Sequence, residues 1–416
     1  MMTIAAKGFD AVDLKDSDLH KAGTPHEVFA WLRANDPVHW NPESDGPGFW
    51  AITRYADILT ASTDPTTFSS AREYGGHRIF DENDVADATV ETSMISMDPP
   101  EHLDYRKMLM PGFTPARLRE MEAGIRARAV TLIDKMIARA AANGGTVDFV
   151  DAFAAPYAIQ TLAELFGVSE DDGDKLFEWS NAIVAEEDPE LRPSQDYVNA
   201  KIMEMIQYSF GLRELRVSKP GNDLISMMAN ATIDGEPMAP GKFLATFILV
   251  VVAGNETTRN SLTGSMIAFD QFPQARAAVQ ANPELLRSCA QEIVRWVSPV
   301  HHMRRTALKD TELGGKAIKK GDKIVLWYAS GNRDEAVFDA PFNFDPARYE
   351  NPAVPKHVGF GTGQHVCLGQ RLAELQIKVA YEELFARLPN MRPIGAGGRV
   401  RSNFINGWKD LPVTLG

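Results

Sequence analysis

One cysteine stands where the chain could offer sulfur to a ligand. Cys367 lies in Phe360-Gly361-Thr362-Gly363-Gln364-His365-Val366-Cys367-Leu368-Gly369, just before an amphipathic run from Gln370 to Leu388. Gly359, Gly361 and Gly363 crowd its approach, and Gly369 follows it. Glycine takes unusual φ/ψ values and lets backbone come close to a flat ligand. The positive N-terminal end of the following helix favours thiolate over thiol. A thiolate presented from such a loop suits a haem iron as proximal ligand. The competing reading is a glycine-rich turn around a buried structural cysteine. A dinucleotide loop is disfavoured: the glycines lack the G-x-G-x-x-G spacing, and no strand–turn–helix context with a ribose-binding acid is evident.

The second chemical stretch sits inside a long helical run, Pro240 to Phe272, about 33 residues and roughly 50 Å long. Its first half is apolar nearly all round, so it is expected to be buried. Then comes Ala253-Gly254-Asn255-Glu256-Thr257-Thr258-Arg259. Gly254 leaves room for a ligand, Thr257 can back-bond to a carbonyl one turn earlier and open the helix, and Glu256 puts a carboxylate beside that opening. The alternative is a helix emerging into solvent at Asn255.

Three further groups stand out. His102 and Arg106 lie four apart on one helical face, after Asp98-Pro99-Pro100, where the prolines suit a helix start and Asp98 could cap it. Glu292 and Arg295 lie three apart, with Arg348 downstream in Asp345-Pro346-Ala347-Arg348. Val300-His301-His302-Met303 precedes Arg304-Arg305. The adjacent histidines lack a carboxylate or cysteine at ligand spacing, which argues against a metal there.

Phe-x-x-Gly-x-His-x-Cys-x-Gly resembles the haem-ligand loop of cytochromes P-450, with all five defined positions matched. The Ala-Gly-x-Glu-Thr order resembles their distal helix. The resemblance runs from about residue 30 to the end and rests on four separated motifs in order. It implies a mainly α fold with a smaller β-rich lobe, one domain over 1–416 with 1–30 packed on it as an extension. It implies haem b, with iron held by Cys367, whose thiolate donates electron density and favours O–O cleavage. By the same resemblance Phe360 and Gly254 border the haem, and His102, Arg106, Arg305 and His365 neutralise its propionates. Thr257 with Glu256 would deliver protons during oxygen activation, and Glu292, Arg295 and Arg348 would form a structural network. The expected substrate lining is Val250, Val251, Val300, Met303, Phe404 and Ile405, with His301, His302 and Asn403 as polar points. No Arg or Lys falls among them, so a hydrophobic small molecule is expected: a terpenoid, an alkyl-aromatic, or a steroid or branched-lipid side chain.

The implied activity is O2-dependent monooxygenation. No flavin or reductase module follows Gly416, so electrons are expected from a ferredoxin, docking near Lys107, Lys356 and Arg371. A haem-thiolate peroxygenase or isomerase and a haem sensor remain as alternatives. The Glu256-Thr257 pair argues against the first, because peroxide already carries the protons that pair would supply.

The elements that must position these residues follow from periodicity and turn signals. Val38 to Trp40 and Phe49 to Thr53 read as strands, and Tyr55 to Ser62 as a helix. Ala116 to Gly144, Tyr157 to Phe166, Glu170 to Ala185 and Ser194 to Arg213 read as helices, the last two flanking a proline break that could form a lid. Pro283 to Val297 is another helix. Glu312 to Ile318 and Lys323 to Trp327 read as paired strands, and Arg399 to Trp408 as a hairpin or loop. Ser69 to Met97 has no period and holds an acidic patch, Asp81-Glu82-Asn83-Asp84; such a segment is either functional or plain surface loop. The net charge of −13 argues against nucleic-acid binding. Two cysteines make no disulfide framework and suit a reducing cytoplasm. The N-terminus is neither signal nor anchor, and the apolar run Phe243 to Gly254 is too short to span a bilayer.

Overall fold

The run from Pro240 to Gln271 forms one continuous helix of 32 residues. In this computed structural model, which describes residues 8–83, 91–169, 172–184, 187–233 and 235–416, it passes through the main hydrophobic core. That core gathers Phe153, Leu162, Phe243, Phe247, Leu262, Met266, Ile293, Ile377 and Tyr381. The helix does not surface at Asn255: Asn255, Glu256, Thr258, Arg259 and Asn260 are all buried. Several of its polar side chains find partners within the fold. Thr246 donates to Lys242 O at 2.8 Å, Thr263 to Arg259 O at 2.9 Å, and Ser265 pairs with the Tyr381 hydroxyl at 2.7 Å. Asn260 Oδ1 accepts the Trp408 N–H at 3.1 Å, tying the helix to the C-terminal hairpin.

Other helices pack around it: Pro115–Ala142, Ala155–Phe166, Gly173–Val184, Gln195–Ser218, Leu286–Val297 and Gln370–Arg387. Glu170 and Ala185, expected at the ends of one helix, lie outside the described residues, as does Asp84 of the acidic patch. Asp98 does not cap the helix Glu101–Leu109. Its carboxylate instead accepts from Ser69 Oγ at 2.5 Å and Ser70 N at 2.9 Å, pinning the start of the irregular segment.

The β-rich lobe centres on a five-stranded sheet in the order Val38–Asn41, Phe49–Ile52, Lys323–Trp327, His302–Ala307, Phe68–Ser69. This corrects one pairing. Lys323–Trp327 does not pair with the preceding strand but runs antiparallel to His302–Ala307 and parallel to Phe49–Ile52. The residues before it fold on themselves, Thr311–Leu313 against Lys316–Ile318, because Gly314 and Gly315 both take positive φ and turn the chain there. His302–Ala307, for which the sequence reading proposed no strand, is a central strand. Among the described residues no helix is long and apolar enough to cross a membrane.

Candidate active site

The Cys367 loop is closed by its own backbone. Cys367 N donates to Phe360 O, and Gly361 N to Val358 O, both at 2.8 Å. Gly363 has φ +66, and a Cβ there would stand 2.4 Å from Ser62 O, so this turn requires glycine. Arg106 Nη1 donates to Val366 O at 2.7 Å, fastening the helix Glu101–Leu109 to the loop. The loop also rests on the helix Leu286–Val297. There Arg295 Nε and Nη2 reach Glu292 at 2.6 and 2.7 Å, Arg348 Nε reaches it at 3.0 Å, and Asp345 N donates at 2.9 Å. Arg295 also holds the carbonyls of Asn332 and Pro341 at 2.7 and 2.8 Å. The three residues expected to meet as a structural network do meet.

Cys367 is exposed, and it lines a largely apolar cavity. Burial pushes its thiol up to about 11, against the Gly369 N–H, Arg106 and the Gln370 N–H.

The cavity is also lined by Val250, Ala253, Gly254 and Thr257 of the central helix, one face at helical spacing. Val251, also expected there, is wholly buried in the core because it is turned about 100° from Val250. Gly254 lines the cavity, but its missing Cβ chiefly serves packing: a Cβ would lie 3.2 Å from Leu162. Thr257 Oγ1 donates to Ala253 O at 2.8 Å while the helix stays continuous. Glu256, expected beside it, is not on the cavity wall. Its carboxylate is drawn to Arg259, and Asn255 Nδ2 donates to it at 3.3 Å. Burial raises the Glu256 pKa despite Arg259. Arg259 also donates to Asn181 on the helix Gly173–Val184 at 3.1 Å.

His102, Arg106, Arg305, Phe360 and His365 all line the cavity. The rings of His102 and His365 stand 4.2 Å apart. His102 Nδ1 and His365 Nε2 are buried without a hydrogen-bond partner among the described residues. Burial lowers the pKa of both histidines, with Arg106 the next cause at His102 and Arg305 at His365. The cationic charge therefore comes from the arginines. Tyr328, missed in the sequence reading, lines the same wall and hydrogen-bonds Arg305. A thiol facing an apolar slot, two arginines and two unpartnered imidazoles fit a flat macrocycle carrying carboxylate side groups.

Val300 and Met303 line the cavity. Phe404 and Ile405 are not among the lining residues; they form a buried layer with Val252, Val300 and Met303. Ser402 Oγ accepts both of their N–H groups at 3.1 Å, His301 N donates to Phe404 O at 2.8 Å, and Ile405 bridges Val300, which flattens the loop against the wall. His301, His302 and Asn403 are sealed behind it. His301 Nδ1 donates to Asn403 O at 3.1 Å, and the Thr24 hydroxyl donates to His301 Nε2 at 3.2 Å.

This is the architecture of a haem-thiolate oxygenase. A family model described as Cytochrome P450 matches residues 74–388. The chain is 47% identical to a linalool 8-monooxygenase of Pseudomonas putida, over 97% of this chain and 98% of that protein. It is 38% identical to a steroid C26-monooxygenase of Mycolicibacterium smegmatis, over 96% and 93%. Its structure matches that of a Mycobacterium marinum cytochrome P450 solved with pseudoionone, with a TM-score of 0.88 and 33% identity, over 99% and 100%. The chain belongs to the cytochrome P450 family. It is an O2-dependent monooxygenase, and its cofactor is protoporphyrin IX haem bound through thiolate.

Proposed function

We propose that this protein hydroxylates an unactivated C–H bond of a hydrophobic small molecule, with electrons from a ferredoxin. One observation carries this reading: Cys367 and Thr257 line the same largely apolar cavity as His102, Arg106, Arg305 and His365. Cys367 would hold the haem iron, and those four residues its propionates. When bound, haem supplies O2 activation, one oxygen atom entering the substrate and the other leaving as water.

The Thr257 hydroxyl donates its hydrogen bond to Ala253 O, which leaves its oxygen free to accept one from a proton source in the cavity. Glu256, whose raised pKa suits a proton-holding carboxyl, reaches that region only by releasing Arg259. Thr257→Ala is expected to bind haem and consume reducing equivalents normally. Product per reducing equivalent should fall severalfold while hydrogen peroxide rises; unchanged coupling would remove Thr257 from proton delivery.

For the substrate we favour a terpenoid, on the higher identity to the linalool enzyme; steroid and branched-lipid side chains stand second. The Val300 and Met303 wall and the central helix gain affinity by removing apolar surface from water, about 25 cal/mol per Å². Panels of terpenoids, steroids, branched lipids and charged aromatic acids, titrated against the haem spin state, test this. A response to charged acids alone would defeat it. Lys107, Lys356 and Arg371 are exposed and form the proposed ferredoxin face. Ferredoxin-driven product formation separates this reading from a peroxygenase and from a sensor. Both cysteines are unpaired, in keeping with a cytoplasmic location.

A further inference from the structure

The cavity wall carries a polar device that none of these roles uses. His77 lines the cavity. Its Nδ1 lies 2.6 Å from Glu82 Oε1 and 2.7 Å from Ser96 Oγ. Ser96 Oγ donates to the same carboxylate oxygen at 3.1 Å, and the His77 N–H donates to it at 2.8 Å. On the other side Arg304 N donates to His77 O at 2.8 Å. The Phe404 ring meets the imidazole edge-on, with centroids 6.2 Å apart. Burial works to raise the Glu82 pKa, yet His77 and these hydrogen bonds bring it to about 2, so the carboxylate is charged.

The chain path to this cluster depends on Gly75 and Gly76, which have φ +104 and +80. A Cβ on Gly76 would stand 2.1 Å from the Glu82 carboxyl carbon, and one on Gly75 2.0 Å from Arg304 Nη2. Any other residue type there would push Glu82 off the imidazole or Arg304 off its carbonyl partners.

A carboxylate at Nδ1 fixes the tautomer: Nδ1 carries the proton, and in the neutral ring Nε2 is an acceptor. Nε2 has no hydrogen-bond partner among the described residues. The cavity that His77 lines also carries Met94, Ile95, Val300 and Met303, whose side chains offer it no hydrogen-bond donor, and His365 lies near enough to feel its charge.

We propose that His77 is the substrate-orienting contact of this cavity, its Nε2 taking a hydrogen bond from a hydroxyl on an otherwise hydrocarbon substrate. This rests on the hydrophobic-substrate reading above. A hydroxyl donates to the neutral ring and accepts from the protonated one, so it suits both; a bare hydrocarbon suits neither. A site built to pair with a substrate hydroxyl discriminates strongly against the analogue lacking it, because its own polar atom is left unpaired.

The test uses haem-loaded protein and two probes, linalool and the same hydrocarbon without its hydroxyl. Affinity is read from the spin-state shift of the haem. Wild-type protein should prefer the alcohol by about tenfold, the order of one hydrogen bond. His77→Phe should erase the preference while keeping hydrocarbon affinity, and His77→Gln, which retains an acceptor, should restore part of it. An unchanged preference in His77→Phe overturns the proposal. So does equal weakening of both probes accompanied by haem loss, which would assign His77 to holding the cofactor. If neither probe shifts the wild-type spin state, the hydrophobic-substrate reading itself fails, and the proposal with it.

Discussion

Cys367→His abolishes the red-shifted Soret band of the reduced carbon-monoxide complex, while Cys289→Ser leaves it in place. This is the expected result, and the two cysteines differ for physical reasons. Cys289 is buried in the helix Leu286–Val297 among apolar neighbours, where burial raises its thiol pKa well above the ordinary value. Cys367 faces the cavity, and the Gly369 and Gln370 N–H groups and Arg106 all favour its charged form. Imidazole is neutral as a ligand and cannot push electron density as thiolate does. Changing outer-shell partners of a metal ligand typically costs about 10- to 100-fold in affinity or activity. Replacing the ligand should cost monooxygenation more than that. A retained band in Cys367→His, or its loss in Cys289→Ser, overturns the assignment.

Glu292→Gln should be the most destabilising single change outside the cavity. The Glu292 and Arg295 side chains are fully buried, and Arg348 nearly so. One carboxylate serves two guanidiniums and the Asp345 N–H. Removing its charge leaves two buried cations facing each other. Breaking a buried pair in this way costs about 3–5 kcal/mol. The loss should appear as a lower urea midpoint for unfolding. It should also loosen haem, because a Cβ on Gly359 of the cysteine loop would lie only 2.9 Å from Val294 O of the same helix. An unfolding midpoint within error of wild type would show that the network contributes specificity but little stability.

The Cys367 loop and the central helix were legible in the sequence because local rules govern them; the meeting of Glu292 and Arg295 with the distant Arg348 was expected only from the family resemblance. A 32-residue helix starting at a proline and ending before another follows from capping and periodicity. Glycines around a cysteine report a tight backbone whatever surrounds them. The strand pairing was less legible. Two glycines, Gly314 and Gly315, outweighed the proximity of Lys323–Trp327, and its antiparallel partner lay on the far side of that hairpin, in His302–Ala307.

By themselves residue type and spacing along one element pointed to a thiolate donor on a glycine-rich loop and to a threonine within an apolar helix. The arginines and histidines for anionic side groups lie on separate elements and were expected from the family resemblance. Only the tertiary structure decided where each side chain points. Glu256 turns from the cavity because Arg259 and Asn255 offer it buried partners. Phe404 and Ile405 form a second layer because Ser402 and Val300 flatten their loop. His77 reaches the cavity because Glu82, Ser96 and Arg304 meet around a glycine pair in a stretch with no period at all. Each outcome is set by contacts between residues distant in sequence or by competition for buried partners, which spacing along the chain does not encode.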